Sequence, residues 1–240
     1  MIRNLLVLGA ESGSIGRGVE DLASKGGDWN VTTVGRTIED HTIDMSNPED
    51  QMVKSFIEDV IWERPWHAVV STLGVNRESF VGSPSVIDPV KMMLHDYKVN
   101  TLAPLAWLNE WLIYWNENES IRAQNLHFAA ISSNSAHVPR STGASYCSSK
   151  SALSMALRCV ARDVGRRDQR VSVYAYEPGW VDGTSMSREV RDRIPQNIPA
   201  TRAPGDRKLS RADITHMIVA NLNFGHAING SIIRVDAGES

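Results

Sequence analysis

The sequence carries only two cysteines in 240 residues, Cys147 and Cys159, and neither sits in a Cys/His cluster. A metal centre is therefore not expected. Two thiols in a chain of this size fit a reducing compartment, and both read as small buried packing residues. No apolar run approaches the ~18 residues that a membrane span needs. There is no basic tract or acidic tail, and with a formal net charge of −3 a nucleic-acid surface is not expected as the main role. No signal-peptide pattern precedes the first apolar stretch, so the expected location is cytoplasmic. No internal repeat, low-complexity tract or Gly/Ser linker divides the chain.

What is present is ordinary globular composition, 42% apolar and 22% charged. Short, continuous, partly β-branched runs occur at 4–8, 31–34, 67–71, 125–131, 171–176 and 231–235. Such runs predict strands buried on both faces. A further short strand is expected near 42–44. Helix-length segments lie between them at 15–25, 48–63, 90–116, 145–166 and 210–223. Strand–helix alternation of this kind predicts an α/β fold, a Rossmann-type doubly wound parallel sheet in a single domain. The stretch 183–208, rich in proline and arginine, reads as an irregular insertion that closes over a substrate.

The first strand is followed by Gly9-Ala10-Glu11-Ser12-Gly13-Ser14-Ile15-Gly16. Glycines at a strand-to-helix turn let the backbone approach a pyrophosphate, whose charge then meets the helix N-terminus. Taken alone, the pattern suits any tight turn. Its place at the first strand–helix junction favours a dinucleotide site involving Gly9, Ser12, Ser14, Ile15 and Gly16. The spacing departs from the common fingerprint, with three residues between Gly9 and Gly13 and two between Gly13 and Gly16. Arg36 stands at the end of the second strand. An acidic residue there would accept from the 2′-OH of NAD, whereas an arginine holds the 2′-phosphate of NADP. NADP(H) is thus expected over NAD(H). Glu11 is discordant, because a carboxylate near that phosphate repels it.

Ala130-Ile131-Ser132-Ser133 ends a strand, and Tyr146 follows Ser133 by thirteen residues. Tyr146 and Lys150 lie four apart and share a helix face. A free tyrosine, with a pKa near 10, is a poor acid–base catalyst at neutral pH. An ammonium ~4 Å away at an effective dielectric of ~20 favours the phenolate by about 4 kcal/mol, roughly three pKa units at most. Lys150 therefore has a physical reason to accompany Tyr146. A lone Tyr-x-x-x-Lys is common by chance, and the weight comes from its combination with Ser133 and the glycine turn.

These marks together resemble the short-chain dehydrogenase/reductase family along essentially the whole chain. Ser133, Tyr146 and Lys150 match its strand-end serine and Tyr-x-x-x-Lys in type and spacing. Asn100 resembles the family's asparagine, which bends the middle helix and holds a proton-relay water. In Ser71-Thr72-Leu73-Gly74 only Gly74 keeps the family's Asn-Asn-Ala-Gly. Asp44 resembles the aspartate that meets adenine. Pro178-Gly179-Trp180-Val181 resembles the turn against nicotinamide, with Thr184 as the displaced family threonine. Asn229-Gly230-Ser231 and Val235-Asp236-Ala237-Gly238 resemble the closing strand. The residue before Gly9 is Leu8 where the family has threonine.

The resemblance implies an oxidoreductase that interconverts a carbonyl and an alcohol with NADP(H). Tyr146 would give the proton, Ser133 would bind the same oxygen, Lys150 would also hold the nicotinamide ribose, and Asn100 would anchor the water. It implies a small-molecule partner and a homodimer or homotetramer. An epimerase or dehydratase on the same scaffold and a non-catalytic NADP-binding regulator are the alternatives.

Trp107, Trp111 and Trp115 form an i, i+4, i+8 stripe that reads as core or interface packing. Trp62 and Trp66 read as packing at a helix end. Trp180 and His137 are candidates for the substrate side. Arg188, Arg191, Arg193, Arg202 and Arg207 read as solvated loop charge, with an acidic substrate or a coenzyme A phosphate as the alternative.

Overall fold

The computed structural model describes residues 2–37, 40–77, 88–192, 203–224 and 226–240. Its first strand, β1 (Arg3–Leu8), shows why the fold is layered. Successive side chains of a strand point to opposite faces. Leu6 and Leu8 accordingly enter one core cluster and Leu5 and Val7 the other. All four are fully buried, which requires helices on both sides.

The chain continues through α1 (Ile15–Gly26), β2 (Trp29–Gly35), β3 (His41–Thr42), α2 (Gln51–Trp62) and β4 (Ala68–Ser71). Next come α3 (Pro89–Tyr97), a π-helical turn (Lys98–Leu102), α4 (Ala103–Glu117), α5 (Glu119–Arg122) and β5 (Leu126–Ile131). The second half holds α6 (Ala144–Arg167), β6 (Val171–Pro178), β7 (Val181–Asp182), α7 (Ser185–Arg191), β8 (Leu209–Ser210), α8 (Arg211–Phe224) and β9 (Ile232–Val235). Seven strands form one parallel sheet in the order β3-β2-β1-β4-β5-β6-β9. This is the doubly wound arrangement the strand–helix alternation predicts. The order reverses beside β1, and ligands of such sheets bind at that crevice, outside the carboxyl ends of the strands.

On one face, Ile57 and Ile61 of α2, Trp107 and Trp111 of α4, and Leu153 and Leu157 of α6 pack together. On the other, Val19 and Ala23 of α1 meet Ile214 and Ile218 of α8. The tryptophan stripe is therefore core packing, and Trp115 belongs to the same cluster. Trp66 is buried and donates to Val60 O at 3.0 Å, while Trp62 is partly exposed and donates to Glu110 at 2.8 Å.

Three expectations need correction. The long middle helix is interrupted by the π turn over Lys98–Leu102. The stretch 183–208 is not wholly irregular, since it contains α7 and is bracketed by the parallel pair β7–β8. Thr184 caps α7 by accepting from Ser187 N at 3.0 Å. The cysteines are not buried: Cys147 is half-buried and Cys159 exposed. The buried face of α6 runs through Tyr146, Ser149, Lys150, Leu153, Leu157 and Ala161, and Cys159 falls on the opposite side.

Candidate active site

The carboxyl ends of the strands surround one cavity of about 560 Å³, in the range of small-molecule and cofactor sites. Leu8 and Gly9 line it after β1, Gly35 and Arg36 after β2, and Thr72, Leu73 and Gly74 after β4. Ser132 and Ser133 follow β5, and Pro178 to Val181 close it after β6. Tyr146 and Lys150 reach it from α6.

The glycine turn forms a tight cradle at one end. Gly9 adopts φ +84°, and a Cβ there would lie 2.9 Å from Thr72 Oγ1. Gly16 does not line the cavity. Its lack of a side chain lets α1 press onto the turn, since a Cβ would stand 2.7 Å from Gly9 O. Ser14 caps α1, accepting from Arg17 N at 3.1 Å and donating to Gly9 O at 2.9 Å. Ser12, Ser14 and Ile15 line the cavity beside the first turn of α1. A tight glycine turn with small serine side chains against a helix N-terminus fits a nucleotide pyrophosphate.

At the far edge of this end, Arg36 and Glu11 form a two-pronged ion pair. Arg36 Nε donates to Glu11 Oε1 at 2.8 Å and Nη2 to Oε2 at 3.0 Å. The backbone N–H of Arg36 donates to the same carboxylate at 3.2 Å. The hydrogen bond and charge of Arg36 lower the pKa of Glu11, and Glu11 raises that of Arg36. Asp44 also lines the cavity here, and its carboxylate accepts from Ser46 N at 3.0 Å.

The other end holds Ser133, Tyr146 and Lys150, all largely buried and all on the cavity wall. Ser133 Oγ accepts from Ser135 N at 3.1 Å, which ties it into a short 3-10 turn, Asn134–Ala136. Lys150 Nζ donates to Ile131 O at 2.9 Å and Leu73 O at 3.4 Å. Burial pulls its pKa down to about 7. Its proton is thus loosely held at neutral pH, a property composition does not reveal.

Asn100 stands behind the wall and does not line the cavity. Its Oδ1 accepts from Val75 N at 2.7 Å, and its Nδ2 donates to Val75 O and Ser149 Oγ, each at 2.9 Å. One turn earlier, Ser145 Oγ donates to Asp96 at 2.6 Å. Asp96–Ser145 and Asn100–Ser149 are therefore two rungs between α3 with its π turn and α6. Each rung anchors the residue immediately before Tyr146 or Lys150. Desolvation raises the pKa of the fully buried Asp96.

Sequence reasoning missed Asp96, although its place four residues before Asn100 was a signal. It also missed a polar chain behind the β5 end. Ser132 Oγ lies 2.8 Å from Ser154 Oγ, which donates to the buried Glu177 at 2.7 Å. His137 Nε2 is 2.7 Å from the other oxygen of Glu177. His137 therefore braces the loop after Ser133 and is not part of the cavity wall.

Trp180 and Thr184 do line the cavity. The backbone N–H of Trp180 donates to Glu239 at 3.1 Å, and the guanidinium of Arg191 lies 5.6 Å from its ring centroid. Arg191 is also paired with Asp182 at 2.8 Å, and Arg188 donates to Gly183 O at 3.2 Å. Arg193 and Arg202 lie outside the described residues.

A family profile described as "short chain dehydrogenase" matches residues 97–195, the part that contains Asn100, Ser133, Tyr146 and Lys150. No curated protein matches the sequence. A short chain dehydrogenase family protein from Francisella tularensis is 17% identical, with 100% of this chain and 99% of that one covered at a TM-score of 0.79. ElxO with NADP bound is 15% identical, with 100% and 99% covered and a TM-score of 0.80. The 3-oxoacyl-[acyl-carrier protein] reductase of Brucella melitensis, in complex with NAD, is 18% identical, with 99% and 97% covered and a TM-score of 0.80. At these identities the three structures establish the fold. Among the described residues no helix is long and apolar enough to cross a membrane, and no group of His, Cys, Asp and Glu could hold a metal ion.

Proposed function

We propose a function from one premise: the chain belongs to the short-chain dehydrogenase/reductase family and is an oxidoreductase. It interconverts a small carbonyl compound and the corresponding alcohol, with NADP(H) used in preference to NAD(H). The observation that carries this reading is the shared wall: Ser133, Tyr146 and Lys150 face one cavity whose opposite end is the glycine cradle and Arg36. Two structural neighbours have NADP or NAD in their descriptions, and Arg36 is the feature of this chain that favours the phosphorylated form.

In reduction, Tyr146 Oη gives a proton to the substrate oxygen while Ser133 Oγ donates a hydrogen bond to it. A bound nicotinamide supplies the hydride. Lys150, when protonated, favours the phenolate that remains on Tyr146. Asn100 acts as a positioning residue, because its amide holds the Val75 backbone and Ser149 beside Lys150. Gly9, Ser12, Ser14, Ile15 and Gly16 shape the pyrophosphate site. Asp44 and Gly74 border the adenosine and ribose, and Pro178, Gly179, Val181 and Thr184 border the nicotinamide. The whole chain works as one catalytic domain, in a cytoplasmic homodimer or homotetramer; the 183–208 segment, of which 193–202 lie outside the described residues, is proposed to cover the substrate.

The test is a panel of aldehydes and ketones incubated with the enzyme and either NADPH or NADH, following loss of reduced-nicotinamide absorbance. Faster oxidation of NADPH with stoichiometric alcohol supports the reading. Cofactor binding without turnover across the panel would leave a non-catalytic NADP-binding protein. Product without net cofactor oxidation would leave an epimerase or dehydratase.

A further inference from the structure

The Glu11 carboxylate occupies Arg36 in the manner a phosphate would, with two parallel N–H···O contacts at 2.8 and 3.0 Å and a third from the backbone. Planar, two-pronged recognition of this kind is the geometry by which a guanidinium binds either a carboxylate or a phosphate. Both groups line the cavity at its adenosine end. Glu11 comes from the glycine turn and Arg36 from the end of β2, so the pair bridges two strand ends on the cavity wall. Asp44 and Glu189 also line the cavity and act electrostatically on Arg36.

We infer that Glu11 is a specificity-determining residue, an internal competitor that the 2′-phosphate of NADP(H) must displace from Arg36. This rests on the proposed use of NADP(H) through Arg36. A nucleotide without that phosphate leaves the ion pair in place. A nucleotide with it must open the pair and then sit beside the released carboxylate. Discrimination between the two cofactors is therefore shallow in the natural chain, and Glu11 sets its size. The pair can open because it is partly exposed: the Arg36 side chain is 60% accessible and the Glu11 side chain 27%. Exposed ion pairs of this kind are individually weak and screened by salt.

The effect is read from equilibrium binding of NADPH and NADH to the full chain, wild type against Glu11→Gln, Arg36→Ala and the double variant. Glutamine keeps the size of the side chain and removes its charge. Glu11→Gln is expected to tighten NADPH about three- to fivefold and to leave NADH within about twofold. In the Arg36→Ala background the same substitution should have a clearly smaller effect on NADPH, because the contested partner is gone. Adenosine 2′,5′-bisphosphate and 5′-AMP should repeat the pattern, since neither reaches the catalytic end.

If Arg36→Ala selectively weakens NADPH while Glu11→Gln changes neither cofactor, or both equally, the phosphate reading of Arg36 survives and this inference is overturned. If Arg36→Ala leaves the NADPH-to-NADH ratio unchanged, both are overturned together. Equal effects of Glu11→Gln in the two Arg36 backgrounds would also overturn it, by showing simple repulsion without competition.

Discussion

The two ends of the cavity are built on opposite principles. At the catalytic end, Lys150, Asn100, Ser149 and Asp96 are buried, and their positions are fixed by hydrogen bonds between helices and to backbone carbonyls. At the end proposed to take adenosine, one partly exposed ion pair joins Glu11 and Arg36. Leaving a buried polar group without its partner costs about 1–3 kcal/mol, whereas an exposed ion pair contributes about 0–1 kcal/mol. The catalytic end is thus rigid and intolerant of change, and the adenosine end is soft and adjustable. On the proposed function, chemistry is held by burial and cofactor choice by surface charge.

Lys150→Met probes the rigid end hardest. It should lower turnover about 10²–10⁴-fold, measured as kcat with saturating cofactor. The same variant has a stability signature with a definite sign. Burial lowers the pKa of Lys150 to about 7, so the folded state releases this proton before the unfolded chain does. Below pH 7 both states carry the proton and the full penalty of a buried ammonium applies. Between pH 7 and about 10.4 the unfolded chain binds more protons, so the penalty fades as pH rises. Lys150→Met also leaves Ile131 O and Leu73 O without their donor at every pH, so denaturant melts should show the wild type gaining stability relative to Lys150→Met as pH rises from 7 towards 10. A constant difference across that range would contradict the buried, loosely held proton.

Asn100→Ala removes three hydrogen bonds from one rung. Lost partners for Val75 and Ser149 should destabilise the fold by about 1–3 kcal/mol. For a chain of this length that is roughly 2–4 °C in Tm per kcal/mol, readable by calorimetry. An unchanged melt would show that the rungs do not tie α3 to α6. Arg36→Ala is the mildest change. It should weaken NADPH about three- to tenfold and barely move Tm, which sharpens the contrast between the two ends.

The sheet was legible because parallel strands buried on both faces leave continuous apolar runs, such as Leu5 to Leu8 and Val171 to Tyr176. Ser133, Tyr146 and Lys150 were legible because their spacing is local. What the sequence hid is long-range or weakly patterned. Asp96 and Ser145 lie 49 residues apart, and Glu177 meets Ser154 across 23. No periodicity records such partners. Helix α7, Ser-Met-Ser-Arg-Glu-Val-Arg, is short and mostly polar, so it has little apolar stripe to read. The cysteines were misplaced because residue type says little about which face of α6 a position occupies. Glu11 is discordant in the sequence, but only the fold places its carboxylate on the arginine that the phosphate is proposed to need.

The most direct measurement is Tyr146→Phe, assayed for NADPH binding and for single-turnover reduction of whichever carbonyl the wild type accepts. The account predicts a dissociation constant within about threefold of wild type and a hydride-transfer rate lowered at least about a hundredfold. A variant that binds NADPH normally and reduces the substrate at the wild-type rate would contradict the assignment of the proton to this phenol.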